Sequence, residues 1–239
     1  MGRISQIWVY LAEQPLLWLT ITVGLFWLAQ QLYRASGDFP LLNPVLVSVA
    51  VLVGVLMATG TPYHAYFDGA QFISFLLGPA TVALAVPLAS QAVTLRRHWL
   101  SITIALSVGS ITAIASALAI GWATGLQGEM LLSMLPKSVT TPIAMGISDQ
   151  IGGLPSLTAV FVILTGIVGA AIGIPLLRGL GMRDAVAKGF ALGVASHGIG
   201  TARAFEHSEE AGAFSGLAMG LNGALTAILV PLVVWLLGL

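Results

Sequence analysis

Charged residues punctuate this chain at intervals close to the length of a bilayer-crossing helix. No Asp, Glu, Lys or Arg occurs between Glu13 and Arg34, Asp38 and Asp68, Asp68 and Arg96, Arg97 and Glu129, or Asp149 and Arg178, nor from Ala211 to the end. A spanning helix needs about 20 predominantly apolar residues, so each of these six intervals predicts a membrane helix. Two further apolar stretches are interrupted. The stretch from Glu129 to Asp149 carries Lys137 near its middle, and that from Arg183 to Glu206 holds His197 and Arg203. Both read as membrane segments with a functional break. The first apolar run follows only Arg3 and ends on no small-residue cleavage site, so the first helix is expected to be retained rather than removed as a signal peptide.

Composition agrees with the pattern. The 239 residues are 57% hydrophobic and 8% charged, against roughly 25% charged in an average soluble domain. Nine basic and nine acidic side chains balance to a formal charge of +0, which leaves no basic stripe for nucleic acid. With Cys 0 there is no disulfide framework, thiolate metal site or cysteine nucleophile. No zinc helix, phosphate-cradling loop or hydrolytic triad is present, so neither covalent catalysis nor a metal or organic cofactor is expected. No polar or Gly/Ser-rich linker divides the chain, and residues 1–239 read as a single all-α polytopic membrane domain. Glycines at small-xxx-small spacing, Gly169/Gly173, Gly189/Gly193 and Gly212/Gly216/Gly220, predict close helix packing, and the glycine-rich last helix suits a homodimer.

Shifting the chain against itself by 57 residues, as a rough self-comparison in search of an internal repeat, places Pro79 on Pro136, Gly109 on Gly166 and Ala113 on Ala170. Each copy has a proline inside an apolar stretch, a second proline shortly after (Pro87, Pro142), and then a long apolar helix. This predicts internal repeat units at 69–122 and 126–178. Each unit would be one broken element, kinked at Pro79 or Pro136, followed by one helix. Broken backbone at membrane depth is tolerated only against protein or a water-filled cavity. The positive-inside rule bears on their course. The clusters Arg96/Arg97 and Arg178/Arg183/Lys188 share a face only if 129–149 is a re-entrant hairpin. By symmetry 69–92 would be re-entrant too, and the repeats would be inverted, which is a transporter-like architecture.

The chemistry concentrates in two segments. In LPKSVTTP, Lys137 stands with Ser138, Thr140 and Thr141 in an apolar setting. An intramembrane lysine costs about 2.5–3.5 kcal/mol on insertion scales and is normally paired or faces a polar cavity. It could also snorkel to the surface. The hydroxyls could cap a returning half-helix, whose N-terminus favours a carboxylate, or could bond their own backbone. In GVASHGIGTARAFE, Ser196, His197, Thr201, Arg203 and Glu206 crowd together, and Gly198 and Gly200 around Ile199 suggest local unwinding. His197 could couple protons or bond between helices. Arg203 could clamp a carboxylate or pair with Glu206 three residues on. Asn43, before Pro44, is a cap or a ligand, and Asn222, between Gly220 and Gly223, an interhelical or substrate bond. Tyr63 and His64 read as interfacial anchors.

The blocks LLNPVLVSV, FLLGPATVALAVPL, LPKSVTTPIAMGIS, GVASHGIGTARAFE and GAFSGLAMGLNGALTAILVPL resemble the LrgB/CidB family, from about residue 40 to the C-terminus. That family takes in YohK-type bacterial proteins and the C-terminal half of the plastid glycolate/glycerate translocator. The resemblance implies one of two functions. The first is a secondary transporter of small carboxylates of the glycolate, glycerate or pyruvate type. The second is an antiholin-like modulator of murein hydrolase export and cell lysis, acting with a small LrgA/CidA-like membrane partner. It also implies a multi-pass protein of the bacterial inner membrane. Charge, hydroxyls and broken helices are a carrier's parts, and on that ground the carboxylate carrier is the leading expectation.

Overall fold

A computed structural model describes residues 15–37, 39, 42–83, 92–97 and 99–239. Among them every regular element is helical: α1 (Pro15–Ala35), α2 (Pro44–Thr59), α3 (Tyr63–Ala83), α4 (Ala92–Arg97), α5 (Trp99–Ala123), α6 (Gly128–Met134), α7 (Thr141–Gln150), α8 (Pro155–Gly179), α9 (Ala185–His207) and α10 (Glu209–Leu237). The six uncharged intervals hold α1, α2, most of α3, α5, α8 and α10, but α2 and α3 are not among the helices found long and apolar enough to cross a membrane within the described residues. Four helices, α1, α5, α8 and α10, are long and apolar enough to cross a membrane, which makes this a multi-pass membrane protein. α2 is shorter, at 16 residues. Pro44 sits in its first turn, and Gly60 ends it in the left-handed conformation at φ 63°.

The chain forms two compact units, Met1–Ala83 and Leu84–Leu239. In the first, α1 packs on α2 and α3, with Trp18 buried edge-on against Tyr66 at 5.8 Å. α3 corrects one expectation. It runs unbroken through Pro79, which is exposed, so residues 69–83 form one helix without the expected kink, and the remainder of the expected broken element, 84–91, lies outside the described residues. A proline on an exposed face costs one backbone bond and one contact, which the rest of the helix can absorb. Pro87 lies outside the described residues. Pro136, its expected counterpart to Pro79 in the repeat, is instead fully buried in the turn between α6 and α7.

The second unit is built from α5, α8 and α10 around two broken elements. The first is α6, a turn over 135–140, and α7. Its fold is set by hydroxyl bonds that tie it to the start of α8. Ser133 Oγ accepts from Leu154 N at 2.7 Å, and buried Thr158 Oγ1 lies within hydrogen-bond distance of Ser133 O (2.9 Å), to which it donates, and of Ser148 Oγ (2.7 Å), from which it can accept. The end of α6 therefore lies beside the end of α7, and the segment doubles back. Its apolar side, Leu131, Leu135, Val139, Ala144 and Ile147, is buried with Ile114, Val162 and Val230.

The second broken element is α9. His197 has φ 43° and ψ −133°, and it is the sole non-glycine residue with positive φ among those described. The break falls here rather than around Ile199. A residue other than glycine holds such a conformation only when its surroundings fix it, and the imidazole is anchored by Nε2 to Val162 O at 2.9 Å. Beyond the break the chain returns along itself. In a straight helix Leu192 and Gly200 would be about 12 Å apart, yet a Cβ on Gly200 would lie 2.7 Å from Leu192 O. Gly200 is thus required by close approach rather than by unwinding. Ala185, at the start of α9, packs against the cluster in which Leu192 and Ala204 are buried, so both ends of α9 lie together. The two broken elements begin 57 residues apart, at Gly128 and Ala185, and each is followed by a long apolar helix.

Candidate functional site

Two crevices meet at Lys137. The first, of about 880 Å³, runs between α5 and the first half of α9, from Met182 and Asp184 to Val194 and Ala195, and is also lined by Lys137, Ser138 and Thr165. The second, of about 470 Å³, lies between α8 and the same half-helix and is lined by Gly169, Gly173, Leu176, Thr165, Ser196 and Lys137. The first half of α9 is therefore a wall with a crevice on each side, and Lys137, Thr165, Ala191 and Ala195 are common to both.

The turn that carries Lys137 exists because Pro136 and Pro142 interrupt the helix ladder. Lys137 N and Val139 N reach back to Met134 O (3.3 Å) and Pro136 O (3.2 Å), and α7 then starts at Thr141 with Thr140 as an extended N-cap that makes no side-chain bond. The N–H groups of Ser138, Thr140 and Thr141 have no acceptor among the described residues. Lys137 is half-buried, and its ammonium has neither a hydrogen bond nor an ion pair among them. Ser196, 1% exposed and packed on Gly169, has a hydroxyl oxygen without a partner. A cation and a buried unbonded hydroxyl thus border the second crevice, and the N-terminus of α7 follows the same turn without lining either crevice. That arrangement suits an anion with further hydrogen-bonding capacity. Asp184, the carboxylate of the first crevice, caps Ala187 N at 2.7 Å, at the opposite end of the half-helix from Ala195.

The remaining residues singled out from the sequence divide by position. Ser138 lines the first crevice; Thr140 and Thr141 flank the turn, half-buried, and line neither. His197 is buried at the break and committed to Val162 O. Thr201 bonds His197 O (2.9 Å) and Ser215 Oγ (3.0 Å), tying the second half of α9 to α10. Arg203 and Glu206 form an ion pair at 2.5 Å near the end of α9, outside both crevices. Asn43 caps α2 in the other unit through Val45 N (3.0 Å) and Leu46 N (3.4 Å). Asn222 is buried and fully bonded, and it lines no crevice. Tyr63 and His64 are exposed at the start of α3, where Tyr63 stacks on Phe67 at 5.7 Å. Among the described residues no group of acidic or histidine side chains is arranged to hold a metal ion.

Four hydroxyls went unnoticed in the sequence. Ser101, Thr112 and Ser116 line the first crevice from α5, and Thr165 lines both from α8. The signal was present: Ser101, Ala105, Gly109, Thr112 and Ser116 fall at steps of three and four on one helical face, small or hydroxylic throughout.

Comparison with known proteins agrees with this architecture. The model of the LrgB-like family matches residues 22–236. The uncharacterized proteins YxaC and YwbG of Bacillus subtilis are each 39% identical, YxaC over 90% of this chain and 94% of its own length. The antiholin-like protein LrgB of Bacillus mycoides is 32% identical over 91% of this chain and 95% of its own length. No solved structure matches. With the family match spanning nearly the whole chain, including both broken elements, the protein belongs to the LrgB-like family.

Proposed function

We propose that the protein is a secondary carrier of small carboxylates in the bacterial inner membrane. The observation that carries this reading is the unpartnered Lys137 ammonium where two crevices converge. A substrate carboxylate is held by Lys137, while Thr165 takes its remaining polar groups together with Ser138 in the first crevice or Ser196 in the second. In this reading the broken elements 128–150 and 185–207 are re-entrant hairpins entering from opposite faces. With α8 and α10 they make an inverted repeat, the arrangement in which transporters place a site between discontinuous helices. The first half of α9, lying between the crevices, is the element whose displacement would change the side from which Lys137 is reached.

The test is uptake of labelled glycolate, glycerate and pyruvate by proteoliposomes containing the purified chain, with and without a pH gradient. Saturable uptake supports the carrier. No uptake of any of the three by folded protein contradicts it.

A second reading is favoured by the name of relatives at 32% identity, antiholin-like protein LrgB. On that reading the chain modulates murein hydrolase export and lysis together with a small LrgA/CidA-like membrane protein, and its buried polar groups serve assembly. It predicts that Lys137→Ala removes the complex with that partner and leaves no transport to lose.

A further inference from the structure

The carrier reading leaves one buried polar side chain without a task. Asn222 lies mid-way along α10, 1% exposed and outside both crevices, with four hydrogen bonds. Its oxygen accepts from Ser110 Oγ on α5 (2.5 Å) and Thr226 Oγ1 (3.4 Å). Its amide nitrogen donates to Val194 O on α9 (3.0 Å) and Ser138 O in the Lys137 turn (3.4 Å). The orientation is fixed by chemistry. Two carbonyls can only accept, so the atom facing them must be the NH₂ group.

Both carbonyls are free for the same kind of reason. The residue four after Ser138 is Pro142, which has no N–H. The residue four after Val194 is Gly198, beyond the non-helical backbone at His197. Each broken element therefore leaves a carbonyl without its helical donor, and one amide on α10 takes both. Ser138 and Val194 are also two walls of the first crevice, the one beside Lys137 and the other on the half-helix opposite.

We propose that Asn222 is a positioning residue that sets the separation between the Lys137 turn and the first half of α9, so that substrate affinity depends on a side chain that does not touch substrate. This rests on the carrier reading for its transport readout only. Loss of the two donated bonds lets the turn and the half-helix drift apart, which weakens binding while leaving the rate of the occupied carrier largely intact.

The experiment compares Asn222→Leu and Asn222→Ser with Ser110→Ala, which removes a bond from the same amide but keeps both carbonyl contacts. In proteoliposomes the two Asn222 variants are expected to raise KM for the transported carboxylate about tenfold with Vmax per folded molecule within about twofold, and Ser110→Ala to leave KM unchanged. A purely structural role would lower the folded amount and Vmax without moving KM. A readout independent of transport comes from the absence of cysteine. Ser138→Cys in each background is labelled with a methanethiosulfonate reagent. The thiol is expected to react about tenfold faster when Asn222 is replaced, and no faster with Ser110→Ala.

If the wild type shows no uptake of any tested carboxylate, the carrier reading fails and the thiol rates alone decide the positioning claim. Unchanged KM and unchanged labelling in folded Asn222 variants overturn it. So does failure of both variants to fold, since the side chain would then be needed for assembly itself.

Discussion

Gly189 offers a prediction whose sign separates packing from propensity. A Cβ at Gly189 would overlap the backbone oxygen, carbonyl carbon and Cα of Ala211 on α10, and one at Gly193 would meet Ser215 O and the Ala218 side chain. These are backbone atoms of a facing helix, which no rotamer change can move. In an isolated helix Gly→Ala is favourable by about 1 kcal/mol. Forcing a methyl into a packed contact typically costs about 1–3 kcal/mol, and here the obstacle is main chain, at the upper end of that range. Gly189→Ala is therefore expected to destabilise the second unit by about 2 kcal/mol net. For a unit of this size that is about 4–8 °C in Tm. Gly220→Ala is the control, because nothing lies within 4 Å of its Cβ position, and it should raise Tm by about 2–4 °C through propensity alone. Thermal melting of detergent-solubilised protein, followed by circular dichroism, measures both. If Gly189→Ala melts at or above the wild-type temperature, α9 and α10 do not approach as described.

Other changes follow from the same contacts. Thr158→Val removes the two buried contacts that hold α6 and α7 to α8 and should cost about 1–3 kcal/mol, seen as a lower Tm in the same melt. His197→Ala keeps the positive φ and loses the bond to Val162 O, whereas His197→Gly loses the bond but relieves the backbone. The glycine variant should be the more stable of the two by about 1 kcal/mol, and the reverse order would contradict a break at residue 197. Arg203→Ala removes a partly exposed i,i+3 ion pair outside the crevices and should shift stability by less than about 1 kcal/mol. It should leave the KM for carboxylate uptake unchanged, and a large rise would return Arg203 to the binding site.

Much of this arrangement was legible in the residue pattern, because the bilayer imposes length and apolarity on any helix that crosses it. The six uncharged intervals hold helices, four of them long and apolar enough to cross a membrane, and Pro136, Lys137 and Pro142 marked a turn that the structure places where two crevices meet. What failed were inferences from residue type that need a neighbour to decide them. Pro79 and Pro136 look alike in sequence, yet one faces outward on a continuous helix and the other is buried in a turn. Gly198 and Gly200 looked like the site of unwinding, but the break sits on His197, held by a carbonyl 35 residues away. Asn222 read as either an interhelical or a substrate bond, because its three partners on other segments, Ser110, Ser138 and Val194, are invisible to spacing. The α5 hydroxyls were passed over because each alone is common in membrane helices, and only their shared face gives them meaning.

The account rests on Lys137 being a free cation held for an anion. The most direct measurement is initial-rate uptake of a labelled carboxylate by wild type, Lys137→Ala and Lys137→Arg, at matched amounts of monodisperse protein in proteoliposomes. Loss of saturable uptake in Lys137→Ala, with partial retention in Lys137→Arg and melting temperatures near wild type, is the predicted result. Wild-type uptake kinetics in a folded Lys137→Ala variant would contradict it.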